Sequence, residues 1–156
     1  MMKLLSQRDP AWANVKMGQS NETLGRSGCT TTDISMLTSW YAQMGFGVYR
    51  SPDWLAKNLR YTKDGYLYWQ SVTEELEFDF DWRFYTYDEM RILPALSGKL
   101  TSCLLRLYDG AKAHWVVGIR KVGNYYYVAN PYPLPSGRRE FVHKSAISGG
   151  ATFYAK

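Results

Sequence analysis

The sequence predicts an α+β fold in which helices lead and an antiparallel sheet follows. Three observations carry that expectation. Ile34, Leu37, Tyr41 and Met44 recur at helical spacing, with Met36 and Trp40 widening the same face. Phe78, Phe80, Trp82 and Phe84 alternate with Asp79, Asp81 and Arg83, the period of a half-buried strand. After residue 101, three β-rich segments are separated by the turn-forming dipeptides Asp109-Gly110 and Gly123-Asn124.

Taken in order, the first 28 residues are rich in Gly, Ser, Asn and Gln and read as extended chain and loops. Residues 29–44 read as a helix, preceded by Ser27-Gly28 and closed by Gly45. A second helix starts after Ser51-Pro52-Asp53, since proline and an acidic residue both suit a first turn. Trp54, Leu55 and Leu59 form its apolar face. Lys63-Asp64-Gly65 is a turn, and residues 71–76 read as a short helix. Asp88 to Ser97 is helical, with Pro94 working against a straight course. Strands follow at Ser102–Tyr108, His114–Lys121 and Tyr125–Ala129, and Arg139–His143 is read as the last.

The chain has 156 residues, 46% hydrophobic and 21% charged, a balance that suits one globular domain spanning 1–156 and opposes disorder. No apolar run approaches the roughly 20 residues of a membrane span. Met1 to Ser6 turns polar at once and lacks the apolar stretch of a secretory signal. The location expected from this is cytoplasmic or virion-associated. The net charge of +5 has no run of five basic residues behind it, and Arg138-Arg139 with Lys144 is the densest cluster. Nucleic acid is therefore not the expected partner. Two cysteines and two histidines without paired spacing predict neither a metal site nor a cofactor. Gly45-Phe46-Gly47 lacks the lysine and spacing of a phosphate loop.

Cys29 stands at the first turn of the 29–44 helix, just after Gly28. Free N–H groups and partial positive charge at a helix start favour thiolate, the nucleophilic form. Gly28 lets a substrate carbonyl approach the backbone closely. A thiolate needs a base, and His114 opens a strand whose end holds an imidazole rigidly. His143, beside Lys144, reads as a surface residue. Asn130 ends the strand that pairs with the His114 strand through the Gly123-Asn124 hairpin, which brings the two to one end of the sheet. Asn130 before Pro131 is equally a turn starter. Cys–His–Asn is a working set for acyl transfer, with the amide orienting the imidazole. The Cys29 N–H supplies one oxyanion donor, and Gln7 and Gln19 are both candidates for a side-chain donor. Cys103 reads as a core strand residue.

Several segments recur here in a familiar order. They are Ser6-Gln7-Arg8-Asp9-Pro10 with Trp12-Ala13-Asn14-Val15 and Gly18, Gly28-Cys29-Thr30 with Ile34-Ser35-Met36-Leu37, and Ser51-Pro52 with Trp54-Leu55. Tyr61-Thr62-Lys63-Asp64-Gly65, Ala113-His114-Trp115-Val116-Val117 and Tyr126-Tyr127-Val128-Ala129-Asn130-Pro131 follow. Together they resemble the C39-like cysteine peptidase family, which has the papain-like fold. The resemblance implies Cys29 as nucleophile, His114 as base, Asn130 as orienter and Gln7 as oxyanion donor. It also implies a nucleophile helix packed on a C-terminal antiparallel sheet. The family often has Asp where this chain has Asn130, which keeps the orienting role but removes a negative charge.

Two functions are carried forward. The first is a thiol-dependent hydrolase of a peptide or peptidoglycan cross-bridge amide, with Gly28, Trp69 and Trp115 against the substrate. The second is a papain-like module without turnover, serving as a structural or binding component of a larger assembly such as a bacteriophage particle.

Overall fold

The computed structural model describes residues 1–108 and 113–156, so the expected Asp109-Gly110 turn lies outside the described residues. Among the described residues five α-helices run in chain order: α1 (Leu24–Ser27), α2 (Cys29–Gln43), α3 (Pro52–Asn58), α4 (Gln70–Glu75) and α5 (Glu89–Ser97). Six strands accompany them: β1 (Phe78–Phe84), β2 (Thr101–Tyr108), β3 (Ala113–Val122), β4 (Tyr125–Asn130), β5 (Arg138–His143) and β6 (Ile147–Ala155). They form one antiparallel sheet in the order β1-β6-β2-β3-β4-β5. The class is α+β.

Helices cover the sheet on both faces, and the strand register shows how. Leu104, Val117, Ala129, Ala151 and Phe153 point to the face where Ile34, Met36, Leu37 and Tyr41 of α2 pack. Their strand neighbours Cys103, Leu105, Val116 and Val128 point to the opposite face, against Ile92 and Ala95 of α5. A strand buried on both faces loses its polar alternation, which is why Cys103-Leu104-Leu105 is a continuous apolar run.

α2 is buried almost all round, including Thr31, Thr32, Asp33, Ser35, Thr38 and Ser39. The small hydroxyls hold the segments that wrap it. Ser35 donates to the Arg50 carbonyl at 2.6 Å, and Ser39 Oγ accepts from the Lys3 N–H at 2.9 Å. Thr31 bonds the Tyr61 hydroxyl at 2.8 Å. Hydrogen bonding of this kind removes the cost of burying Thr31, Ser35 and Ser39, whereas Thr32 Oγ1 and the Asp33 carboxylate have no partner among the described residues.

Three expectations are corrected. Arg139–His143 is not the last strand: β6 follows, and it inserts between β1 and β2, one place in from the β1 edge of the sheet. Its Gly149-Gly150 pair breaks the side-chain alternation that marks a strand in sequence. Residues 24–27, expected to be loop, form the short helix α1 leading into α2. The alternation of β1 is interrupted by a bulge between Phe80 and Trp82, which places Phe80 opposite Phe153 but Trp82 opposite Thr152. Trp82 is thus 49% exposed rather than in line with Phe78 and Phe80. The same bulge turns Arg83 toward the face that carries Ala151 and α2.

No helix among the described residues is long and apolar enough to cross a membrane.

Candidate active site

Cys29 is the first residue of α2, and the junction before it is built for glycine. A Cβ on Gly28 would lie 2.5 Å from the Leu24 carbonyl oxygen, closer than atoms pack. The tight passage from α1 into α2 leaves the first N–H groups of α2 around a half-buried thiol.

Three groups favour the thiolate form of that side chain: the His114 ring, the Trp115 backbone N–H and the Thr30 hydroxyl. Burial pushes the Cys29 pKa up. The hydrogen bond and positive charge of His114 oppose it, joined by Trp115 and Thr30, and the net position is below the ordinary thiol range. His114 responds in kind. Burial pulls its pKa down, but the bond to Cys29, the thiolate charge, the bond to Asn130 and the charge of Glu140 raise it above the ordinary value. Both shifts favour a thiolate–imidazolium pair.

The sheet places the histidine's second partner. Val117 pairs with Ala129 across the β3–β4 hairpin, so the start of β3 and the end of β4 lie side by side. His114 Nε2 and Asn130 Oδ1 are 2.7 Å apart, which leaves Nδ1 for Cys29. Asn130 Oδ1 also accepts from the Tyr132 N–H at 3.0 Å. Asn130 therefore both bonds the His114 ring and stands as the turn residue before Pro131.

Glu140 was not legible as a site residue. Asn130 pairs with Arg138 in the β4–β5 ladder, and two residues further on Glu140 accepts from Asn130 Nδ2. Its charge is held in turn by Arg138 at 3.4 Å. A carboxylate thus stands behind the asparagine, on the side away from the histidine. The only signal in the sequence was an acidic residue on the strand after Asn130.

Gln7 is 2% exposed and lies between the two halves of the site. Its N–H donates to the Pro131 carbonyl at 2.7 Å, next to Asn130. Its side-chain Nε2 donates to the carbonyls of Leu24 and Gly25 at 3.4 and 3.3 Å, one turn before Cys29. Gln19 is exposed. The rings of Trp69 and Trp115 are 5.2 Å apart, and Trp69 stacks on Phe80 at 5.7 Å, so both tryptophans are half in the core. His143 sits on β5 opposite Tyr125, at the far end of β4 from Asn130, and its Nδ1 accepts from the Ser145 N–H at 3.1 Å. Cys103 is buried in the other layer, where burial pushes its thiol up, and both cysteines are free.

One further residue was missed. Asp33, one helical turn beyond Cys29, is fully buried, and neither carboxylate oxygen has a hydrogen-bond partner among the described residues. Burial, with the Cys29 charge adding to it, raises its pKa well above the ordinary carboxylate range.

Among the described residues no group of three His, Cys, Asp or Glu side chains is placed to hold a metal ion. The arrangement suits nucleophilic attack at a polarised carbonyl followed by proton transfer from a nearby imidazolium. The chain matches no protein-family model and no curated protein.

Proposed function

We propose that this protein is a thiol-dependent amide hydrolase of the C39-like, papain-like kind, acting on a peptide or a peptidoglycan cross-bridge. The observation that carries the reading is the continuous line from the Cys29 thiol through His114 and Asn130 to Glu140. The Cys29 thiolate attacks the amide carbonyl and an S–C bond forms. The C–N bond then breaks as His114 gives its proton to the leaving nitrogen. Water attacks the thioester, His114 takes a proton from that water, and the carboxylate leaves with the thiolate restored.

The oxyanion of each tetrahedral intermediate lies against the Cys29 N–H, with the Gln7 amide as second donor. The bonds that hold Gln7 Nε2 at rest are long, so turning it toward the oxyanion costs little. The same resting pose favours the second reading, a module without turnover in a larger assembly such as a phage particle, because both carbonyls occupy the donor nitrogen.

The deciding experiment is the rate of Cys29 alkylation by iodoacetamide from pH 5 to 9, run beside hydrolysis of peptide and muropeptide substrates. An activated nucleophile gives fast labelling well below the free-thiol midpoint of roughly 8.5. His114→Ala removes most of the low-pH rate, and Cys29→Ala abolishes hydrolysis. Slow labelling of Cys29 with a free-thiol profile, unchanged in His114→Ala, defeats the hydrolase.

A further inference from the structure

Two arginines flank Trp115, and among the described residues neither has a carboxylate partner. Arg106 on β2 lies opposite Trp115 on β3 and opposite Gly149 on β6. Arg83, turned by the β1 bulge, lies opposite Ala151 on β6, and its Nη1 is 3.0 Å from where a Cβ on Gly149 would stand. The glycine leaves a gap in the side-chain layer, and Arg83 lies over it. The Arg83 guanidinium stacks on the Trp115 ring at 4.8 Å and on the Tyr85 ring at 4.2 Å. Trp115 in turn gives its backbone N–H to the Cys29 thiol, so one residue joins the arginines to the nucleophile.

The protein satisfies only part of these two forks. Arg83 Nη1 donates to the carbonyls of Phe84 and Gly150, and Arg106 Nη1 donates to Ser148 Oγ at 2.7 Å. None of the ion pairs among the described residues includes Arg83 or Arg106. Each guanidinium has five N–H donors in a planar fork, so several remain for a ligand. Both side chains are half-buried, which makes an unbalanced charge costly. Burial lowers the Arg83 pKa and the Arg106 charge adds to that, whereas Tyr85 opposes it. Two like charges brought together on a partly dry face call for an anion.

We propose that Arg83 and Arg106 form a subsite for a carboxylate of the substrate, so that the enzyme selects acidic peptides. The inference rests on the hydrolase reading for its substrate and on the sheet register for its geometry. A carboxylate matches the arginine fork bidentately, and the Trp115 and Tyr85 rings fix the Arg83 fork in place. An acidic side chain near the scissile amide would bind here while its carbonyl meets Cys29.

The test uses Cys29→Ala protein, which cannot turn over, and a set of peptides in matched pairs that differ only as Glu or Gln. Binding is read by calorimetry, and wild-type hydrolysis is read on the same pairs. The expected result is at least about tenfold tighter binding of the Glu member, the worth of one good charged hydrogen bond. Arg106→Gln collapses that ratio toward one, and Arg106→Lys keeps part of it. Arg83→Gln does the same if it folds by circular dichroism, and the Arg106 pair decides if it does not. Equal binding of the two members, or binding of neither, overturns the subsite. So does displacement by inorganic phosphate without Glu preference, which would mark a phosphate site instead. Equal hydrolysis of both members keeps the hydrolase and removes the subsite. Glu-selective binding with no hydrolysis keeps the subsite and removes the hydrolase.

Discussion

Glu140 accepts a hydrogen bond from the nitrogen of the Asn130 amide whose oxygen faces His114. Together with the Tyr132 N–H on the amide oxygen, this contact sets which way the amide points. It also returns, one residue further back, the negative charge that an aspartate at Asn130 would have supplied. The Glu140 charge reaches His114 and is among the causes that raise its pKa.

Glu140→Gln tests that relay. Removing the charge lowers the His114 pKa, so less imidazolium is present at any given pH and the thiolate beside it is less favoured. The thiolate–imidazolium pair then gives way to the neutral pair, and the rate of Cys29 alkylation at pH 6 should fall by roughly two- to tenfold. His114→Ala should cost more. A Glu140→Gln profile that overlays the wild type would show that the carboxylate only orders the loop.

Asp33 should cost stability as pH rises. Its folded pKa lies above the unfolded value, so the folded state holds the proton more tightly. The stability linked to that proton is complete below the unfolded pKa and is lost as pH climbs toward the folded one. Asp33→Asn cannot ionise. Its melting temperature relative to wild type should be near level at pH 4 and higher by about 2–4 °C at pH 7, the equivalent of about 1 kcal/mol. A difference that stays flat across the series would mean that Asp33 titrates normally.

Phe153→Ala tests the unexpected strand. Phe153 is 1% exposed at the centre of an aromatic cluster with Phe78, Phe80 and Trp69. Its truncation should destabilise by about 3–5 kcal/mol in urea denaturation. Tyr154→Ala, next in the chain on the exposed side, should cost less than about 1 kcal/mol. Similar losses at both positions would contradict the facing of β6.

The helix that starts at Cys29, most of the strands and the Cys29, His114 and Asn130 cluster were legible in the sequence for local reasons. Apolar spacing marks α2, Gly28 and Gly45 bracket it, and Gly123-Asn124 marks the hairpin that brings His114 and Asn130 to one end of the sheet. Each of these signals lies within a few residues of the feature it marks. What only the tertiary structure decided depends on contacts between distant segments. β6 carries glycines where neighbouring side chains come close, so its strand character comes from pairing with β1 and β2 rather than from its own alternation. The bulge in β1 turns Arg83 toward Trp115 by one residue of slip against β6, and no local pattern records which partner a strand will find. Glu140 joins the His114 line only because β5 pairs with β4. Asp33 looks like an ordinary polar residue on a helix until chain packed on every side of α2 takes it out of water.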